Sequence, residues 1–130
     1  MLLSKKLSDS IVGISEKYID RKFDWSSFNC VHFVIEVYAQ LNILLPVIER
    51  YSFPPREFHL SEKEFLTMPI GHSVFFKRKA KNSPRLWSHV GIVYSDDTII
   101  HCTRHLGNGV VVTPRSILME TYTLAPQMEL

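Results

Sequence analysis

The chain lacks the features that mark secreted, membrane-spanning and disulfide-stabilised proteins. Only two of its 130 residues are cysteine, too few for a disulfide framework, so a reducing compartment is the default expectation. The first residues lack the basic start, apolar stretch and cleavage site of a secretory signal, and no apolar run is long enough to span a bilayer. We therefore expect a cytoplasmic protein without integral membrane contact. Export without a cleaved signal leaves no mark in a sequence and stays open.

Charge of one sign is not in excess, since the formal net charge is only +2. No zinc-finger spacing, recognition-helix pattern or basic motif with interleaved aromatics is present, so we expect no nucleic-acid partner. The basic residues nevertheless concentrate in residues 76–85, where five occur without an acidic neighbour: Lys77, Arg78, Lys79, Lys81 and Arg85. Such a run is typical of a solvated loop, and binding of phosphate or of an anionic surface is the alternative.

Apolar periodicity predicts three helices in the first part of the chain. Helical spacing of apolar residues predicts a first helix from a cap at Ser8 or Asp9 to about Asp20. Residues 31–41 are apolar on nearly every side, which predicts a central, buried second helix. A capping box in residues 61–64 predicts a short third helix.

From residue 73 onward the pattern changes to short runs of β-branched and aromatic residues that are separated by turns. The predicted strands are "SVFFKR", "WSHVGIVY", "TIIHC", "GVVVT" and a terminal "TYTLA", with a helical turn "PRSILME" before the last one. Helices first and an antiparallel sheet afterwards predict an α+β fold. A chain of this length with 45% hydrophobic residues buries one sizeable core, so we expect a single domain over residues 1–130.

Cys30 is the first residue that invites a chemical interpretation. If Ser27 or Asn29 caps the second helix, Cys30 lies in its first turn, where unpaired N–H groups and the helix dipole stabilise a thiolate. A small, buried core residue is the alternative, as for most free cysteines.

His89 and His101 lie on two predicted strands that a short turn connects. A three-residue loop over residues 95–97 places Gly91 opposite His101 and makes the two histidines diagonal neighbours on one face of the sheet. A two-residue turn would put them on opposite faces, but such turns prefer a glycine that is absent here. The three-residue loop is therefore the prediction, and Gly91 leaves space for an imidazole ring.

A cysteine and two histidines in this arrangement suit a thiol hydrolase. His89 would take the proton of Cys30 and later protonate the leaving amine, while His101 would bond the far nitrogen of His89 and fix its tautomer. Either histidine alone is more simply interpreted as a satisfied core or strand-edge residue. The chemical hypothesis depends on all three residues together.

A zinc site is the competing interpretation of the same region. Its candidate ligands are Cys30, His32, His101, Cys102 and His105. No Cys-x-x-Cys pair occurs, and alternating strand faces disperse these side chains, so we expect neither a metal nor a cofactor. Cys102 is expected to be a small buried residue facing away from His101.

Four blocks of sequence together resemble the NlpC family of papain-like cysteine peptidases, which includes many bacterial cell-wall endopeptidases. The blocks are "FDWSSFNCVHFVIEVY", "MPIGHSVFF", "SHVGIVYSDDTIIH" and "GVVVTPRSIL", in the order of the family and spanning about residues 16–118. The resemblance implies a papain-like fold and hydrolysis of an amide bond in peptidoglycan stem peptides or a related isopeptide. A peptide or peptidoglycan fragment would be the partner.

By matching positions, the resemblance makes Cys30 the nucleophile, His89 the general base and His101 the orienting residue. The candidate substrate-binding residues are Phe23, Trp25, Asn29 and Trp87. For the two tryptophans, which flank the site blocks in sequence, core packing is an equally good interpretation. Asn29 replaces the aspartate that usually precedes the family's cysteine, and Phe23 lies near the place of a tyrosine thought to help hold the oxyanion. These departures keep two alternatives open: a thiol acyltransferase of the same fold, and a non-catalytic binding module that retains it.

Overall fold

The computed structural model describes residues 3–79 and 83–128. The helices are α1 (Lys5–Glu16), α2 (Cys30–Ala39), α3 (Glu62–Thr67) and α4 (Arg115–Thr121), with a 3₁₀ turn at Arg56–Phe58. The strands are β1 (Ser73–Arg78), β2 (His89–Val93), β3 (Thr98–Thr103), β4 (Gly109–Pro114) and β5 (Tyr122–Leu124). The predicted α+β architecture is confirmed, with a short helix between the last two strands.

One antiparallel sheet contains the five strands in the order β4-β3-β2-β1-β5. In the β2–β3 hairpin Ile92 pairs with Ile100, so the same register places Gly91 opposite His101, as predicted. A Cβ added at Gly91 would lie 3.2 Å from the Cβ of His101. The missing side chain therefore leaves the space that this histidine needs.

Helices cover both faces of the sheet. On one face, α2 contributes the fully buried Phe33, Val34 and Val37 to the larger core, because its sequence is apolar on nearly every side. On the other face, Phe65 of α3 and Leu118 of α4 belong to a second cluster. The central position predicted for the second helix is confirmed.

The first helix begins and ends earlier than its apolar spacing predicts. The Ser4 side chain, instead of Ser8 or Asp9, accepts the N–H of Leu7 and caps α1, while Asp9 forms an ion pair with Lys5 one turn before it. The helix ends at Glu16, and Asp20 adopts a positive φ of 71°, a conformation that no helix contains. Within the described residues, no helix combines the length and apolarity needed to cross a membrane.

Candidate active site

Cys30 is the first residue of α2, and Asn29 is the cap. The Asn29 Oδ1 accepts the N–H groups of Val31 at 3.0 Å and His32 at 3.2 Å. His32 Nδ1 in turn accepts the N–H of Asn29 at 3.1 Å, which completes a capping box. Among the described residues, no hydrogen-bond partner takes the N–H of Cys30. The helix start therefore offers one free donor next to the sulfur.

The imidazoles of His89 and His101 meet, as the hairpin register predicts. The Nε2 of His89 lies 2.7 Å from the Nδ1 of His101, and the Nε2 of His101 lies 2.8 Å from the Thr113 Oγ1 on β4. Three strands therefore contribute one buried chain of hydrogen bonds. Thr113 gave no signal in the sequence, because its partnership with His101 depends on the β3–β4 register.

A cleft of about 350 Å³ joins the start of α2 to the start of β2. Cys30 and His89 both line it, together with Phe23, Trp25 and Asn29. Trp25 is 65% exposed. The structure thus brings the nucleophile and base candidates, and three of the four candidate substrate-binding residues, to one concavity.

Trp87 corrects the sequence-based assignment, because it is not among the residues that line this cleft. Its side chain is 1% exposed and packs edge-on against Phe75 with ring centroids 5.0 Å apart. The indole N–H donates to the backbone carbonyl of Glu49 at 3.2 Å. Trp87 is a core residue with a satisfied polar atom, and it does not face a substrate.

The tautomer of His89 follows from its partners. Its Nδ1 forms no hydrogen bond with residues 3–79 or 83–128, and the ring lines the cleft. If His101 donates its Nε2–H to the Thr113 hydroxyl oxygen, its Nδ1 must accept the Nε2–H of His89, because a neutral imidazole has one donor and one acceptor. The Nδ1 of His89 then keeps a lone pair that can accept a proton.

Arg50, from the loop between α2 and the 3₁₀ turn, is a cleft residue that the sequence did not single out. Its Nη1 donates to the carbonyl of Ser88, immediately before His89, and its guanidinium lies 4.7 Å from the centroid of the Trp87 ring. The Arg50 carbonyl accepts the N–H of Leu86 at 2.6 Å. These contacts hold a positive charge at the inner wall of the cleft.

Tyr122, the first residue of β5, is a second residue that sequence reasoning missed. Its ring stacks on His89 with centroids 5.3 Å apart and planes 17° apart, and it lines the cleft while only 9% exposed. The Tyr122 hydroxyl makes no hydrogen bond to residues 3–79 or 83–128, and the residue faces the cleft. A free O–H donor therefore accompanies the free N–H of Cys30.

Burial shifts the pKa values of Cys30 and His89 in opposite directions. It raises the pKa of the Cys30 thiol, an effect that the charge of Arg50 and the N–H of Val90 oppose. Burial also lowers the pKa of His89 well below 6.5, and the charges of His101 and Arg50 act in the same direction. Both shifts favour a neutral thiol beside a neutral imidazole in the free protein.

The other residues that the sequence offered are Cys102, the candidate zinc ligands and the basic run. Cys102 is fully buried with its Sγ 3.5 Å from the carbonyl oxygen of Phe28, and both cysteines are free. The described residues contain no group of three or more His, Cys, Asp or Glu side chains placed to hold a metal ion. From the basic run, Lys77, Arg78 and Arg85 line the cleft, whereas Lys81 lies outside the described residues.

The fold is that of NlpC/P60 proteins, as the sequence resemblance implied. NlpC1 from Trichomonas vaginalis is similar over 96% of this chain and 44% of its own, with a TM-score of 0.71 and 15% sequence identity. An NlpC/P60 family protein from Bacillus cereus ATCC 10987 is similar over 92% of this chain and 39% of its own, with a TM-score of 0.69 and 17% identity.

The chain therefore spans less than half the length of these two solved proteins. No protein-family model matches the chain, and no curated protein matches it. At such low identity the likeness describes the fold, because one fold can carry unrelated activities.

Proposed function

We propose that this protein is a cysteine hydrolase that cleaves an amide bond through an acyl-enzyme on Cys30. The observation that supports this most is the hydrogen-bonded chain from His89 through His101 to Thr113. It ends at a cleft that Cys30 also lines. A thiol at a helix start and an oriented imidazole are the two parts that nucleophilic catalysis by cysteine requires.

In the first half of the reaction, the Nδ1 of His89 accepts the thiol proton while the sulfur of Cys30 attacks the amide carbon. Because burial favours the neutral form of both groups, proton transfer is coupled to the attack of the sulfur instead of preceding it. Negative charge develops on the amide oxygen, where the N–H of Cys30 and the O–H of Tyr122 would donate hydrogen bonds. The C–N bond then breaks, and His89 returns its proton to the leaving amine.

In the second half, His89 removes a proton from a water molecule that attacks the thioester. The C–S bond breaks, the acid product leaves, and the proton returns to the sulfur. His101 is a positioning residue throughout, since it accepts the Nε2–H of His89 and stabilises the imidazolium that forms. Thr113 holds His101 in the tautomer that this requires.

The substrate we propose is a peptide amide, with peptidoglycan stem peptides or a related isopeptide as the first compounds to test. This choice comes from the four sequence blocks and from the likeness to NlpC/P60 folds. The concave cleft of about 350 Å³ is consistent with it, because small ligands and peptide segments bind in pockets of this size.

The decisive experiment is mass spectrometry of the protein and of soluble peptidoglycan fragments after incubation in H₂¹⁸O. We expect one ¹⁸O atom in the new carboxyl group and an acyl adduct on Cys30 in quenched samples, neither of them with Cys30→Ala. A product in which an added amine has replaced water would identify an acyltransferase. Absence of both products and of any adduct would support the remaining alternative, a non-catalytic binding module.

A further inference from the structure

The cleft has a charge composition unlike that of the whole chain. The chain has 15 Lys and Arg residues and 13 Asp and Glu residues, so its charges are nearly balanced. The described residues that line the cleft include no carboxylate, but they include five cations: Arg50, Lys77, Arg78, Arg85 and Arg104. Positive charge is therefore concentrated at the place where a substrate would bind.

These cations converge from separate parts of the chain. Arg50 belongs to the loop after α2, Lys77 and Arg78 end β1, Arg85 precedes β2, and Arg104 follows β3. The basic run of residues 76–85 therefore accounts for only part of the cluster. Since like charges repel, their convergence costs free energy unless an anion is bound among them.

The protein itself does not neutralise these charges. Within residues 3–79 and 83–128, the two ion pairs join Lys5 to Asp9 and Arg21 to Glu36, and neither involves the cleft. Arg50 uses its Nη1 on the carbonyl of Ser88, which fixes the side chain without cancelling its charge. An arginine fixed in this way is prepared to bind a carboxylate.

Among the described residues that line the cleft, no carboxylate is present to pair with a substrate amine. The cap before Cys30 is the neutral Asn29, whose Oδ1 already accepts two backbone N–H groups. A cleft with five cations and no carboxylate discriminates by the sign of charge, because it repels cationic groups as well as attracting anionic ones.

We propose that the cleft selects an acidic peptide, in which carboxylates flank the amide that is cleaved. Arg50 would bind the carboxylate next to the reacting carbonyl, and the cations at the rim would bind those further away. The identity of the amide as the reacting group rests on the proposed function. The selection for carboxylates rests on the charges alone.

The shape of the site favours a peptide over an anionic membrane. The cations surround a concavity of about 350 Å³ in which Cys30 is 4% exposed. A flat bilayer surface cannot enter such a space, whereas a single extended segment can.

The test measures binding to the Cys30→Ala variant, so it does not depend on turnover. The probes are two N-acetylated hexapeptide amides of alanine, one with three glutamates and one with three glutamines. We expect the glutamate peptide to bind at least about tenfold more tightly at low salt. The preference should shrink as ionic strength rises, because salt screens exposed charges. Equal binding of the two peptides would overturn the proposal.

Charge-reversal variants show which cations cause the preference for the glutamate peptide. In the Cys30→Ala background, Arg85→Glu with Arg104→Glu should abolish the preference for glutamate. Arg56→Glu with Lys63→Glu changes the net charge by the same amount at exposed positions that do not line the cleft, and should retain the preference. Equal losses in both double variants would mean that net charge alone is responsible, which would contradict a selective cleft. Thermal unfolding confirms that each variant is folded.

Two more probes show whether the cleft prefers the carboxylates of a peptide or the phosphate groups of a membrane or of free phosphate. Vesicles of phosphatidylglycerol and inorganic phosphate are tested against the same variants. Tighter binding of vesicles than of the glutamate peptide, lost with Arg85→Glu and Arg104→Glu, would overturn the proposal in favour of a membrane surface. Retained peptide selectivity in a protein that hydrolyses nothing would support this proposal and contradict the hydrolase.

Discussion

The two cysteines show how little burial says about function. Cys30 is 4% exposed and Cys102 is 0% exposed, both are free, and burial raises the pKa of both thiols, that of Cys102 to about 12. Both also line the cleft, so the difference between them lies in their immediate neighbours. Cys30 begins a helix beside a cleft that also contains His89, Arg50 and Tyr122.

Cys102 lies within β3, near the carbonyl oxygen of Phe28. That oxygen can only accept, so it gives no stabilisation to a thiolate. It also faces away from the imidazole of His101, since successive residues of a strand point to opposite faces. The same residue type in the same core is therefore placed for chemistry in one case and for packing in the other.

The difference between the two cysteines is tested most directly by replacing each of them separately. Cys30→Ala should lower kcat for the hydrolysis of a cleaved peptide by at least about 10⁴-fold, because the acyl-enzyme cannot form. Cys102→Ser should leave kcat within about threefold, since Cys102 touches no reacting atom. Steady-state kinetics with the same substrate decides, and similar losses in both variants would make the two cysteines equivalent.

The Tyr122 hydroxyl is a second feature that distinguishes the surroundings of Cys30 from those of Cys102. Tyr122→Phe keeps the stacking on His89 and deletes only the O–H. If that O–H stabilises the oxyanion, kcat should fall by about 10²-fold with little change in KM. A variant with unchanged kcat would show that the N–H of Cys30 is the sufficient donor.

Thr113→Val tests the far end of the histidine chain with a side chain of similar shape. It removes the hydroxyl that pairs with the Nε2 of His101, and we expect kcat to fall by about tenfold. Thr113→Ser retains the hydroxyl and should restore most of the activity. The acidic limb of the pH–rate profile should also move in the valine variant, because the base tautomer is less well held; equal rates in both variants would limit Thr113 to packing.

The smallest expected effect concerns the pH at which each thiol reacts with iodoacetamide. The charge of Arg50 lowers the pKa of Cys30, and that of Arg21 lowers the pKa of Cys102. Removing a cation destabilises the thiolate, so Arg50→Met should move the profile of Cys30 to higher pH and leave that of Cys102 in place. Arg21→Met should do the reverse. Mass spectrometry resolves the two sites, and parallel movement of both profiles would contradict separate surroundings.

The parts of the site that the sequence predicted are those that local hydrogen bonding decides. Asn29 as cap depends on the next three residues, and the contact of His89 with His101 follows from a three-residue loop and strand alternation. For Trp87, proximity to His89 in the sequence suggested the cleft, and the structure shows the alternative, core packing. Its indole packs against Phe75 and donates a hydrogen bond to the carbonyl of Glu49.

By itself, the sequence determined the order of helices and strands, the placement of Cys30 in the first turn of the central helix and the face shared by the two histidines. Each depends on dihedral preferences and on partners a few positions away. Only the tertiary structure brought Arg50, Thr113 and Tyr122 to the same site and closed a cationic cleft around it. Those residues meet because α2 packs on the sheet, β4 pairs with β3 and β5 pairs with β1. Such contacts between distant segments leave no periodic pattern in the chain.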